Sequence, residues 1–362
     1  MRFPEFSGEW EKHTIGELCE EFKSGKNIKA ENIQAGGVYP VFGGNGLRGY
    51  ADRYNHEGDY VLIGRQGALC GNVRFVTGKT YITEHAIAAK ATNNNYTHFL
   101  EYLFVRLNLG QFSDQSAQPG LAVNKLLKIE TFAPSKEEQY KIASLLKFLD
   151  ERIATQNKVI EDLKKLKSAI AERVYNCRTY QLYRIGDVIE QVSKRNNSMS
   201  IDKVLSVSNK LGFINQSEQF EDRIVASEDT SNYKIVYKDD FAYSPARINV
   251  GSIARLKHFN KGIVSPMYIC FRVKQGIVLD YLEYFFTTNY FFYEMQKRLE
   301  GSVRQCLSFE GLCNIPIYIP NLDEQQKIGR KVSVIMEKID NENRYLDSLK
   351  MQKQYLLRQM FI

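Results

Sequence analysis

Two stretches of the chain carry the same spacing of apolar residues. In residues 134–175 the apolar positions are Leu146, Leu149, Ile153, Ile160, Leu163, Ile170 and Val174. In residues 320–361 they are Val332, Ile335, Ile339, Leu346, Leu349, Leu356 and Met360. The period is near 3.5, which predicts two long helices, each with an apolar seam that wants a partner helix. Polar residues interrupt both seams at matching places, Gln156 and Glu342, then Lys167 and Lys353. Such interruptions cost stability but fix register and partner. A start signal precedes each helix: Pro134-Ser135 followed by Glu138, and Pro320-Asn321 followed by Glu324. That spacing is a capping box, and the proline keeps the preceding chain extended. At ~1.5 Å per residue each helix runs about 60 Å, longer than a small domain is wide. Much of each seam must therefore find a partner beyond its own domain.

The two stretches are copies of one another. Aligned without gaps they share eleven identities in 42 positions, among them Glu138/Glu324, Gln139/Gln325, Ile142/Ile328 and Lys164/Lys350. The likeness continues upstream. "SAQPGLAVNKLLKIETFAP" at 116–134 matches "SVRQCLSFEGLCNIPIYIP" at 302–320, an offset of 186. "FLEYLF" at 99–104 echoes "YLEYFF" at 281–286, and "TIGELCEEF" at 14–22 echoes "RIGDVIEQV" at 184–192. The offset drifts from 170 to 186, so the second copy carries extra loop residues inside its globular part. The chain reads as one unit written twice, a globular domain followed by a long helix.

Ahead of each helix the pattern shortens to a period of two or to brief apolar runs bounded by glycine, the mark of strands. "GDYVLIG", "GNVRFV" and "TYITEHAIAAKA" (80–91) read as strands, and 97–109 as an amphipathic helix. The second copy offers "KIVYKDDFAYSP", "GSIARLKHF" and "GIVSPMYICFRVK", with a helix near 279–300. The fold class is α+β, with strand-rich domains and an internal repeat.

Composition adds bounds. Of 362 residues, 43% are hydrophobic and 25% charged, the balance of a globular protein. No apolar run reaches the length of a membrane span, and the opening residues lack a signal-peptide pattern, so the expectation is a cytoplasmic protein without a membrane partner. The six cysteines form no CxxC pair, which points to reduced thiols and no metal site. The net charge of +7 hints at a polyanion, but residues 1–134 hold 14 basic and 14 acidic residues. A nucleic-acid reading must rest on where the charges sit.

Candidate chemistry lies in two glycine-dense stretches, "VFGGNGLRGY" (41–50) and "IGRQGALCGNV" (63–73). Neither is a phosphate loop or a dinucleotide fingerprint. Glycines there serve tight turns, or let the backbone approach a ligand while Asn45, Arg48, Arg65, Gln66, Asn72 and Arg74 project into it; both readings stand. Those side chains suit DNA base edges, Arg to guanine and Asn or Gln to adenine. The second copy supplies Ser208, Asn209, Arg247, Asn249 and Arg255 in corresponding regions. The loops before the long helices add Gln118 in the first copy, and Arg304 and Gln305 in the second, as phosphate or base contacts. No catalytic set emerges. His85 beside Glu84 reads as a polar surface pair, and there is no HExxH, no GxxxxGK[ST] and no nuclease carboxylate cluster.

The twin phrases "PSKEEQYKIASLLKFLDERI" and "PNLDEQQKIGRKVSVIMEKI", the N-terminal "FPEFSGEWEKHTIGELCEEF" and "GDYVLIGRQGALCGNV" resemble the specificity subunit of type I restriction–modification systems. The resemblance covers essentially the whole chain. It implies a target-recognition domain at 1–133, a conserved helix at 134–175, a second target-recognition domain at 176–319 and a second conserved helix at 320–362. It implies that the two helices pair antiparallel as a coiled-coil spacer under a pseudo-two-fold, and that each domain reads one half of a bipartite target in double-stranded DNA. The implied partners are two methyltransferase subunits, which would carry S-adenosylmethionine, and optionally two translocase–nuclease restriction subunits. No cofactor and no catalysis are expected in this chain. The competing expectations are a coiled-coil scaffold that binds protein only and a self-sufficient nucleic-acid enzyme.

Overall fold

The computed structural model describes residues 2–113, 120–209, 211–216, 229–302 and 305–361. By its contacts the chain divides into two units, the first made of residues 1–157 and 344–362, the second of residues 158–343.

Unit 1 begins with β1 (Glu11–Thr14), α1 (Ile15–Leu18) and β2 (Cys19–Ser24). Strands β3 (Tyr39–Gly43), β4 (Gly46–Ala51), β5 (His56–Glu57), β6 (Tyr60–Gly64), β7 (Val73–Val76), β8 (Lys79–Ile82) and β9 (Ala86–Ala91) follow. Then come α2 (Thr97–Leu107), α3 (Val123–Leu126), β10 (Glu130–Ala133) and the start of α4 (Lys136–Tyr175). One four-stranded sheet has the order β2-β9-β6-β7, a second β4-β3-β8-β5, and β1 pairs with β10.

Unit 2 takes the end of α4 and then repeats the plan. Its elements are β11 (Gln181–Arg184), α5 (Ile185–Val188), β12 (Ile189–Val192), β13 (Leu205–Ser208), β14 (Gly212–Asn215), β15 (Lys234–Tyr237), β16 (Phe241–Tyr243), β17 (Ile253–Arg255), β18 (Lys261–Val264) and β19 (Ile269–Val273). These lead into α6 (Leu279–Phe285), α7 (Asn289–Gln296), α8 (Phe309–Cys313), β20 (Pro316–Ile319) and α9 (Leu322–Gln359). The sheet β12-β19-β16-β17 and the pair β11-β20 reproduce their unit 1 counterparts. The duplication is thus structural: Glu11 faces Ala133 across its ladder as Gln181 faces Ile319. The units diverge in the remaining strands, where unit 2 has two-stranded ladders β13-β14 and β15-β18 in place of a second four-stranded sheet.

Two expectations need correction. Residues 80–91 are not one strand but two, β8 and β9, because the chain turns at Thr83, whose carbonyl accepts from Ala86 N at 3.0 Å. The helix near 279–300 is two helices. Thr288 breaks it by capping α7, its hydroxyl accepting from Phe291 N at 3.0 Å.

The repeated phrase has a mechanical role. Gln139 and Gln325 are buried. Gln139 Nε2 donates to Pro134 O at 2.9 Å while its Oε1 accepts from Tyr96 N at 2.9 Å. Gln325 does the same with Pro320 O at 3.0 Å and Val278 N at 2.8 Å. Each glutamine ties the start of its long helix to the entry of the helix behind the main sheet. The capping box forms in one direction: Ser135 Oγ accepts from Glu138 N at 3.5 Å and Asn321 Oδ1 from Glu324 N at 2.9 Å. The Glu138 carboxylate turns instead to Arg2.

The predicted seams are the faces that α4 and α9 bury or half-bury. In unit 1, Leu146, Leu149, Leu349 and Leu356 join the core with Ile153 at its margin, and Leu346 is buried. In unit 2, Val332 joins the core with Ile170 at its margin, Ile160 and Ile339 are buried, and Leu163 and Ile335 are half-buried. The polar interruptions are used. Lys353 Nζ meets Asp150 Oδ1 at 2.5 Å, and Tyr102 donates to Asp150 Oδ2 at 2.9 Å. Arg152 reaches Tyr345, so the α4 and α9 segments of unit 1 run antiparallel. In unit 2, burial holds the Lys167 ammonium below the ordinary lysine range, with Asp340 opposing.

The far end of each helix closes a core that its own beginning does not belong to. Tyr175 ends α4 inside unit 2, its ring 4.9 Å from Tyr281 and 5.4 Å from Phe285. Phe361, 186 positions later and just past α9, sits in unit 1 at 5.3 Å from Phe99 and 6.3 Å from Trp10.

Candidate nucleic-acid interface

In unit 1 the two glycine-dense stretches meet. The loop between β6 and β7 is closed by Gly64 N donating to Asn72 O and Gly71 N to Gly64 O, both at 2.8 Å. Gly71 has a φ of +83°, and a Cβ there would stand 2.3 Å from Gly110 N, so only glycine fits. Arg65 N donates to His85 O and Leu121 N to Arg65 O, both at 2.9 Å, while Gln66 bridges to Gly120. The β3–β4 hairpin folds against the same loop: a Cβ on Gly44 would lie 2.6 Å from His85 O and 3.3 Å from Gly64 Cα. The Arg74 guanidinium lies 3.1 Å from where a side chain on Gly46 would begin, and Arg48 packs over Gly43. Asn45, Arg48, Gln66, Asn72 and Arg74 are exposed and Arg65 half-exposed. Among the described residues no carboxylate lies within ion-pair distance of these three arginines. Cationic forks held by a rigid backbone and left unpaired are available to an anionic partner.

Unit 2 holds its loop by the same bonds with different side chains. Ser244 N donates to Ser252 O at 3.1 Å, as Gly64 does to Asn72, and Leu307 N donates to Pro245 O at 3.1 Å, as Leu121 does to Arg65. The β13–β14 hairpin is pinned on this loop by Ser252 Oγ donating to Val207 O at 2.9 Å, with Asn209 against Gly251. Arg247, Asn249, Asn209 and Gln305 are exposed, and Ser208 is half-exposed with its hydroxyl accepting from Leu211 N at 3.4 Å. Position by position the surfaces disagree: the residue matching Arg65 is Pro245, and the one matching Gly67 is Arg247.

Arg255 is not part of this surface. Its side chain is 10% exposed, with Nη2 at 2.6 Å from Asp280 and Nε at 3.2 Å from Glu283. It braces β17 on α6. Replacing Arg255 with methionine is expected to destabilise unit 2 by about 1–3 kcal/mol, reduced from the fully buried case because Asp280 is partly exposed. Calorimetry checks this, and an unchanged melting temperature would return Arg255 to the candidate contacts. Gln118 and Arg304 lie outside the described residues. Glu84 and His85 touch at 3.2 Å at the surface. Among the described residues no three acidic, histidine or cysteine side chains gather as a metal site, and no helix is long and apolar enough to cross a membrane.

The same loop tips also expose apolar side chains that their polar letters do not point to. Leu47 is 52% exposed and Leu69 45% in unit 1, Leu211 72% and Val250 57% in unit 2. A lone leucine between glycines, as in "GNGLRG" or "QGALCG", was the available signal.

The comparisons agree with this duplicated plan. Over 180 residues the chain is 38% identical to the EcoprrI type I restriction enzyme specificity subunit of Escherichia coli, covering 49% of this chain and 44% of that subunit. It is 24% identical over 404 residues to the MjaVIII type I restriction enzyme specificity subunit of Methanocaldococcus jannaschii, covering 99% of this chain and 92% of that one. The fold resembles the crystal structure of a type I restriction–modification S subunit from M. genitalium, with a TM-score of 0.70 at 18% identity over 98% of this chain and 96% of that one. The family described as the type I restriction modification DNA specificity domain matches twice, at residues 7–165 and 178–351. With both copies of its repeat matched, the chain belongs to the type I restriction–modification DNA specificity family.

Proposed function

We propose that this chain is the sequence-reading subunit of a restriction–modification complex and carries no catalysis of its own. Unit 1 reads one half of a bipartite duplex target through Asn45, Arg48, Arg65, Gln66, Asn72 and Arg74. Unit 2 reads the other half through Ser208, Asn209, Arg247, Asn249 and Gln305. The observation that carries this reading is the pair of loops held by equivalent backbone bonds yet presenting unlike side chains, as two readers of unlike sequences require. Arginine forks suit guanine, amides suit adenine, and the exposed Leu47, Leu69, Leu211 and Val250 suit thymine methyl groups. The paired helices set the number of unread base pairs between the half-sites. Two methyltransferase subunits bind the duplicated scaffold and bring S-adenosylmethionine, restriction subunits join as an option, and the assembly works in the cytoplasm.

The test is methylation sequencing in cells that express the chain with its methyltransferase. A split motif is expected. Exchanging residues 176–319 for the corresponding segment of another member should change one half of the motif and leave the other untouched. A change in both halves, or in neither, refutes the modular reading.

A further inference from the structure

Each unit has a cleft at the start of its long helix. The cleft is about 420 Å³ in unit 1 and about 790 Å³ in unit 2. Their walls correspond through the repeat: His13 matches Tyr183, Asn95 matches Ile277, Pro134 matches Pro320 and Glu138 matches Glu324. What differs is the occupant. In unit 1 residues 2–9 close the cleft. Arg2 forks onto Glu138 at 2.8 and 2.6 Å and also reaches Gly8 O, and Lys141 holds Glu5. The Glu138 side chain is left 1% exposed. In unit 2 the chain before β11 is the end of α4 and its turn, and among the described residues no segment pairs with Glu324 as Arg2 pairs with Glu138. The Glu324 side chain is 41% exposed and meets Lys327 of its own helix at 4.0 Å.

We propose that the unit 2 cleft is a receptor for an arginine-bearing extended segment of a partner polypeptide, taken up as unit 1 takes up its own residues 2–8. The argument rests on charge and shape. The carboxylate is presented at the same helix turn, beside the same Pro-Asn/Ser cap, and the larger cleft leaves room for such a segment. Tyr180 and Tyr183 line the cleft, and aromatic rings are favourable neighbours for a guanidinium. A bidentate fork onto carboxylate selects arginine over lysine. Residues 2–8 are already committed in unit 1, and the proposal assigns the segment to another chain. The proposal is independent of DNA reading.

The probe is a labelled, end-blocked heptapeptide of residues 2–8, compared on the full chain with the same peptide carrying neutral citrulline in place of arginine. Fluorescence anisotropy should show the arginine peptide binding roughly tenfold tighter or better, the difference of one charge-assisted fork. Glu324→Gln should erase that preference, while Glu138→Gln should leave it. Equal affinity of the two peptides for the unaltered chain, no binding by either, or a preference that survives Glu324→Gln overturns the proposal. The first two outcomes need no variant, so a misfolded Glu324→Gln chain offers it no shelter.

Discussion

Replacing Phe361 with alanine is expected to loosen unit 1, at the opposite end of the sequence, by about 3–5 kcal/mol. The ring is 4% exposed and closes an aromatic cluster with Trp10 and Phe99. Removing it leaves a cavity walled by rings and by Leu356 and Met360, which α9 holds in place. Native-state hydrogen exchange should report the loss where it occurs. At tenfold per ~1.4 kcal/mol, protected amides of residues 1–157 should exchange on the order of a hundred- to several-thousandfold faster. Those of residues 158–343 should be little changed. Tyr175→Ala is the mirror experiment. It removes the two ring contacts and the bond from Tyr175 to Tyr281 O, and it should open unit 2 while sparing unit 1. If both substitutions loosened both units alike, the reciprocal closure of each core by the far end of the other copy's helix would be wrong.

That reciprocity marks the limit of what the sequence discloses. The seams of α4 and α9 are legible because a period near 3.5 survives any change of partner. Periodicity gives a helix a face, though not the neighbour that covers it, so nothing in "AERVY" says that Tyr175 belongs to the domain that follows. The repeat itself was legible because identities cluster where the backbone needs particular groups. Gln139 and Gln325 are conspicuous in the alignment, but their task depends on Tyr96 and Val278, more than 40 residues upstream. The split of residues 80–91 into β8 and β9 stayed hidden for a different reason. The turn at Thr83 contains neither glycine nor proline, and its three polar letters, Thr83-Glu84-His85, are a short break between two apolar runs. The break between α6 and α7 at Thr288 is similarly unpunctuated.

At the candidate site, composition of the loops was legible and pairing was not. Arg247 and Arg255 sit eight positions apart in one stretch, and both read as forks for a base edge. Only the fold brings Asp280 and Glu283 to one and leaves the other bare. An arginine's function is decided by which carboxylates reach it, and those come from distant sequence.

The bare arginines supply the sharpest test of DNA reading. Changing Arg48, Arg65 and Arg74 together to alanine should weaken binding of the assembled complex to its target duplex by on the order of a hundredfold or more. Each direct base contact is worth about 1–3 kcal/mol, and contacts to phosphate add a salt-dependent share. The melting temperature should hold, because no carboxylate is left behind unpaired. Changing the same three residues to lysine separates the two kinds of contact. Lysine keeps the charge that releases counterions but loses the planar fork. Arginines that read guanine would therefore lose discrimination in the lysine variant while the salt dependence stays near that of the parent. Arginines that grip phosphate would be rescued by lysine, with sequence preference intact. Relaxed specificity should fall on the half-site read by unit 1 and spare the other half. A triple alanine variant that bound its duplex as the parent does, at matched salt, would remove these loops from the interface and send the search for the readers elsewhere in the unit.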